Sequence, residues 1–153
     1  MSNVSDPTPL YLSEIKWSKV CSPFRGRSRQ QLVLIACDIA RLCLHLLPKG
    51  EDRPRVAIET AEAWARGEAT RERVIQAYEI AEAALNTALH FGNTKSATYY
   101  AAWTSISAAL SDFLGGSAFD HCCDTAHYAT EAGIDTKVIE ETLRTHSLLG
   151  ENE

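Results

Sequence analysis

Apolar residues recur along this chain at three- and four-residue spacing, the repeat that gathers side chains on one face of an α-helix, and no stretch alternates with the two-residue period of a strand. The most sharply bounded repeat lies in Asp52–Glu68, DRPRVAIETAEAWARGE. There Ala57, Ile58, Ala61, Trp64 and Ala65 form one stripe, and Glu59, Glu62 and Arg66 take the other side. Pro54 suits the first helical position, and Asp52 before it can accept from free amides. Gly67 suits the positive φ that often follows a helix end. These marks predict a helix over 54–66 with Trp64 largely buried in its stripe.

The pattern continues on both sides. Ser28 as N-cap opens a helix to Leu47, with Leu32, Ile35, Ala36, Ile39, Leu42, Cys43 and Leu46 on its apolar face and Pro48 and Gly50 at its end. Thr70 caps a helix from Arg71 to about Phe91, striped by Val74, Ala77, Tyr78, Ala81, Leu85, Ala88 and Leu89 and closed by Gly92 and Asn93. A fourth helix, about Lys95 to Leu114, is rich in Ala and Ser, with Tyr100, Trp103, Ile106, Leu110 and Phe113 as large anchors. Small residues let neighbouring backbones approach, so this is the expected central helix. Gly115 and Gly116 break it, Ser117 caps a fifth to about Ala132 before Gly133, and Asp135 caps a last helix to about Ser147 that sends Val138, Leu143 and Leu148 inward.

Ahead of these, residues 1–12 are polar and read as an extended arm, and Ser13–Val20 reads as a short helix docked by Ile15 and Trp17. Ser22–Arg27 then forms a loop holding Arg25 and Arg27. Short connections favour antiparallel neighbours. The expectation is an all-α, single-domain bundle of about five or six helices.

Composition agrees with that class. A chain of 153 residues, 45% hydrophobic and 23% charged, has the make-up of an ordinary globular protein, and its length is enough to bury about two thirds of its unfolded surface. A net charge of −5 argues against general nucleic-acid binding, which needs clustered Lys and Arg, and leaves room for an acidic face that meets a basic partner. MSNVSDPTPL lacks the basic and apolar regions of a secretory signal. The most apolar stretch, Leu32–Leu47, is interrupted by Asp38, Arg41 and His45 and is too short to span a bilayer. Five cysteines, an odd number without framework spacing, point to reduced thiols and a cytoplasmic location.

Candidate chemistry is sparse. His121, Cys123, Asp124 and His127 fall within about two helical turns, so that two or three can face one metal, in a metal-binding protein or an enzyme; core packing of the thiols is the simpler reading. Cys37 and Cys43 sit on apolar faces and read as small hydrophobes. Glu59 and Glu62 resemble a carboxylate pair, yet Arg55 and Arg66 stand four residues away and predict surface ion pairs Arg55–Glu59 and Glu62–Arg66. Trp64, Tyr99, Tyr100 and Trp103 can be read as an aromatic cage, although helical spacing makes them core residues first. Glu131, Asp135, Glu140 and Glu141 form an acidic C-terminal surface open to a partner or simply solvated. No residue is assigned a catalytic role and no cofactor is called for.

With these residues in view, Leu34–Glu68 resembles an all-α family encoded beside bacterial polymorphic toxins and described as immunity proteins. One block is Ala36-Cys37-Asp38-Ile39-Ala40-Arg41 with Leu46-Leu47-Pro48, similar to the family's helix but with cysteine and aspartate exchanged. The closer block is Asp52-Arg53-Pro54-Arg55, Ala57-Ile58-Glu59 and Ala63-Trp64-Ala65-Arg66-Gly67-Glu68. Ala97–Ala109 is similar in composition, without the family's Gly-His and Ala-His pairs. The resemblance implies a helical protein that binds and neutralises a cognate toxin without a reaction of its own. Asp38, Arg53, Arg55 and Glu59 are the polar matches, candidates for partner binding or for scaffolding; a helical scaffold of another role remains the third reading.

Overall fold

The capping signals at Ser28, Thr70 and Ser117 operate where the sequence places them. Gln31 donates its backbone N–H to Ser28 Oγ at 3.1 Å while its side-chain oxygen accepts from the Ser28 N–H at 3.1 Å. This reciprocal box satisfies two amides that the first helical turn leaves free. Thr70 and Ser117 accept in the same way from Arg73 and Asp120 at 3.2 and 3.0 Å. The computed structural model describes residues 16–90 and 96–151, with side chains to Ser147, and every regular element among them is helical. In chain order these are α1 (Trp17–Val20), α2 (Arg29–Arg41), α3 (Arg53–Ala65), α4 (Arg71–His90), α5 (Ser96–Ala109), α6 (Ser111–Leu114), α7 (Ala118–Glu131) and α8 (Thr136–Glu151), with 3-10 turns at Ser22–Phe24 and Leu44–Leu46. The protein is therefore all-α, with six long helices and two of a single turn among the described residues.

The centre is α5, which packs against α2, α3, α4 and α7. Its small side chains permit this, and ten of its residues are buried. The hydroxyls of Thr104, Ser105 and Ser107 cost little there because each finds an acceptor on its own helix, whereas the buried Thr98 Oγ1 has no partner among the described residues. Thr104 donates to Ala101 O at 3.1 Å and meets Thr125 Oγ1 of α7 at 2.8 Å, while Ser105 and Ser107 bond the carbonyls of Ala102 and Trp103. Around α5 the largest fully buried side chains are Phe24, Ile35, Ile39, Ile58, Ile106, Leu110 and Ile139.

Several boundaries and faces differ from the sequence pattern. The helix expected to reach Leu47 stops at Arg41, because Leu42 and Cys43 turn to carbonyls three residues back and the chain tightens into a 3-10 turn before Pro48. α5 ends at Ala109 in the same way, leaving Phe113 on the separate turn α6, 73% exposed instead of anchoring the core. Val138 is 46% exposed and Ile139 takes the core position beside Leu143, so the buried face of α8 is turned by one residue. α8 also continues past Ser147 to Glu151, and Leu89 is exposed near the end of α4.

Trp64 is only half-buried, with the Arg29 guanidinium 5.3 Å from its ring centre. Asp52 makes no side-chain cap, and Glu51 accepts the Arg53 N–H instead at 3.2 Å. Residues 1–12, Ile15, Gly92, Asn93 and the Leu148 side chain, on which expectations were also placed, lie outside the described residues.

Candidate functional site

The polar residues of the block over 36–68 mainly brace helices. Arg41 of α2 grips Glu62 of α3 through two hydrogen bonds, Nε to Oε2 at 2.7 Å and Nη2 to Oε1 at 2.6 Å. Glu62, expected on a solvated face, is thereby buried at 8% exposure, and the expected Glu62–Arg66 pair is replaced by Arg66–Glu68. Arg53 holds Glu51 in a second fork, at 2.8 and 2.6 Å, and Tyr99 of α5 donates to the same carboxylate at 3.1 Å. The Arg53 hydrogen bond above all, with that from Tyr99, brings the Glu51 pKa down to about 2.

Asp38 meets His146 Nε2 at 2.6 Å and ties α2 to α8. Arg55 and Glu59 lie on the surface, paired with each other at 3.6 Å as the spacing predicts, and Arg55 also reaches Asp52 at 4.0 Å. Of the four polar matches, then, Asp38 makes a tertiary contact, Arg53 orients Glu51, the acceptor of the tertiary bond from Tyr99, and Arg55 and Glu59 face solvent.

Of the cluster at 121–127, Cys123, Asp124 and His127 line one surface cavity with Trp17, Ser18 and Asp120 but do not converge on a metal. Cys122 and Cys123 face inward beside Cys21, and a hydrogen bond in which the Cys21 thiol donates to Cys122 is the largest of the influences that push the Cys21 thiol up to about 12. The Cys123 thiol is held well above its ordinary value, first by hydrogen bonding with Cys21 and then by burial. His121 points instead to the Gly115 carbonyl at 3.3 Å, and His127 to Glu131 at 3.4 Å. Among the described residues no group of three or more His, Cys, Asp or Glu is placed to hold a metal.

All five cysteines are buried and outside any disulfide. Cys37, its thiol 3.7 Å from the Ile58 carbonyl, is also raised by burial. Neutral buried thiols are weak ligands and weak nucleophiles.

The four acidic C-terminal candidates all lie on the surface. Glu131 pairs with His127, Asp135 accepts the Lys137 N–H at 2.8 Å and so caps α8, Glu141 contacts Arg144, and Glu140 extends from the exposed side of α8. They belong to an uneven distribution of charge. Residues 111–153 carry nine Asp and Glu against two Lys and Arg, whereas residues 1–110 carry eleven against thirteen.

The proposed aromatic cage divides. Trp64 goes to Arg29 and Tyr99 to Glu51, while Tyr100 and Trp103 join Tyr78 of α4 and Tyr128 of α7 in a continuous band. Tyr100 stacks on Tyr128 with centroids 4.5 Å apart and planes within 11°. Sequence reading places Tyr78 in a core stripe and does not single out Tyr128; nothing in their spacing joins residues drawn from three helices.

A family model described as "Imm-5 like putative immunity protein" matches residues 22–110, from the first 3-10 turn to the residue after α5. No curated protein and no solved structure matches the chain. The match spans more than half of the 153 residues and contains both the Arg41–Glu62 and the Glu51–Arg53–Tyr99 braces. The chain belongs to the Imm-5 like family.

Proposed function

We propose that this protein acts in the bacterial cytoplasm as an immunity protein, a single helical domain that binds a cognate toxin and neutralises it by occupancy rather than by a reaction. The observation that carries this reading is family membership through residues 22–110. Charge supports the kind of partner. The segment beyond the matched region holds the nine-to-two excess of carboxylates, and such a surface accelerates encounter with a basic protein by long-range attraction. The braced condition of Glu62, which is buried, and of Glu51, which is partly exposed, supports scaffolding for these groups rather than acid–base chemistry. No described helix is long and apolar enough to cross a membrane.

Co-expression with the toxin-like product of a neighbouring gene tests the reading: growth should be restored. Reversing Glu131, Glu140 and Glu141 to lysine, with Asp135 left to cap α8, should lessen the rescue. A toxic neighbour whose effect persists despite soluble expression of this protein contradicts it.

A further inference from the structure

Helices α4, α5 and α7 lie side by side, with α5 in the middle. Across them runs the aromatic band: Tyr78 lies 6.0 Å from Trp103, Trp103 is edge-on to Tyr100 at 6.4 Å, and Tyr100 stacks on Tyr128, which His127 meets edge-on at 5.2 Å. Every one of these residues is partly exposed, so the band has the core beneath it and water above. Rings already fixed against one another lose little freedom when a partner covers them, and Tyr and Trp are the side chains that most often dominate protein–protein binding energy.

Charge selects the partner. From Val74 onward in α4, and throughout α5 and α7, there is no Lys or Arg; the ionisable acids are Glu79, Glu82, Asp120, Asp124 and Glu131. Three of these border the band. Tyr78 hydroxyl lies 3.4 Å from Glu82, and Asp124 and Glu131 both act on the Tyr128 phenol, whose pKa is raised first by burial and further by Tyr100 and these carboxylates. Asp124 is exposed, and partial desolvation together with the neighbouring Asp120 holds its carboxyl above its ordinary range, a cost that an incoming cation relieves. Aromatic faces edged by carboxylates are complementary to guanidinium, which stacks on a ring with its plane and bonds a carboxylate with its edge.

We infer that the Tyr78–Trp103–Tyr100–Tyr128 band, edged by Glu82, Asp124 and Glu131, is the docking surface for an arginine-bearing segment of a basic protein partner. This rests on the toxin-binding reading and says where the toxin's cationic side chains sit.

The probe is a deca-arginine peptide, followed by tryptophan emission. Wild-type emission should change on titration, and most of the change should vanish in Trp103→Phe, which leaves Trp17 and Trp64 as the remaining indoles. Tyr100→Leu/Tyr128→Leu keeps every charge but removes the stack and should weaken binding about tenfold. Tyr128→Phe should retain it. The triple variant Glu82→Gln/Asp124→Asn/Glu131→Gln leaves the rings in place and should weaken binding at least as much, which keeps the test decisive if the leucine variant unfolds. Deca-lysine should bind less tightly than deca-arginine. An unchanged emission, or full affinity in the leucine and triple variants, overturns the inference. If deca-arginine seats on the band while the neighbouring toxin is not neutralised, the surface stands and the immunity reading falls. If the toxin is neutralised equally by wild type and by the folded leucine variant, the reading stands and this surface falls.

Discussion

Arg41 and Glu62 show how much a single pair can depend on its surroundings. Glu62 is buried and its guanidinium partner is more exposed, so removing Arg41 leaves a carboxylate with little water and no counter-charge. Arg41→Ala should destabilise the fold by about 1–3 kcal/mol, discounted from a fully buried pair because water reaches the arginine. Arg55→Ala, whose partner Glu59 is equally exposed, should change stability by less than about 1 kcal/mol. Urea midpoints of the two variants, compared at equal slope, check this contrast.

Glu51 gives a pH signature. Its folded pKa of about 2 lies below the ordinary 4.5, so the folded state binds its proton less readily than the unfolded state. The stabilisation is complete above pH 4.5 and is lost as pH falls from there towards 2. In Glu51→Gln the loss of stability over that window should be shallower, by at most about 1.4 kcal/mol per pH unit for one proton. Equal slopes in wild type and variant would show that Arg53 and Tyr99 do not hold this carboxylate. Neither pair was legible in the sequence. Periodicity puts Glu62 on a polar face, and it takes an arginine from another helix to bury it there.

At the scale of elements, local signals were the readable ones because they act within a few residues. Gly67 has φ of +79°, and the Glu68 N–H reaches back to the Ala63 carbonyl at 2.7 Å, closing α3. A Cβ at Gly67 meets no atom within 4 Å, so Gly67→Ala tests backbone strain alone. It should cost about 1–2 kcal/mol, seen as a lower thermal midpoint without a change in helix content. A midpoint at or above wild type would mean that α3 does not need this left-handed stop.

Faces were less readable than ends. Val138 and Ile139 are neighbours of similar hydropathy, and it is the packing of α8 on α2 and α7 that takes Ile139 inward. Trp64 continues its stripe as expected and packs against the core, but at its rim, where Arg29 covers it. In the 121–127 stretch the spacing was right for a shared face, yet Cys123 packs inward with Cys21 while His127 turns to Tyr128 and Glu131.

For the whole molecule, the central place of α5 followed from its small residues, because only such a helix can touch four others closely. The aromatic band did not follow, since its members come from three helices and meet only through that packing. The distribution of charge joins these levels: a nearly balanced region matched by the family model and a strongly acidic remainder, with the band's α7 edge lying in the remainder.

The most direct test is calorimetric titration of this protein with an inactivated form of the neighbouring toxin, repeated as sodium chloride rises from about 0.1 M to about 1 M, which shortens the screening length from about 10 Å to about 3 Å. A saturable complex whose affinity falls steadily with salt is the predicted result. The absence of a complex, or an affinity indifferent to salt, would contradict the account.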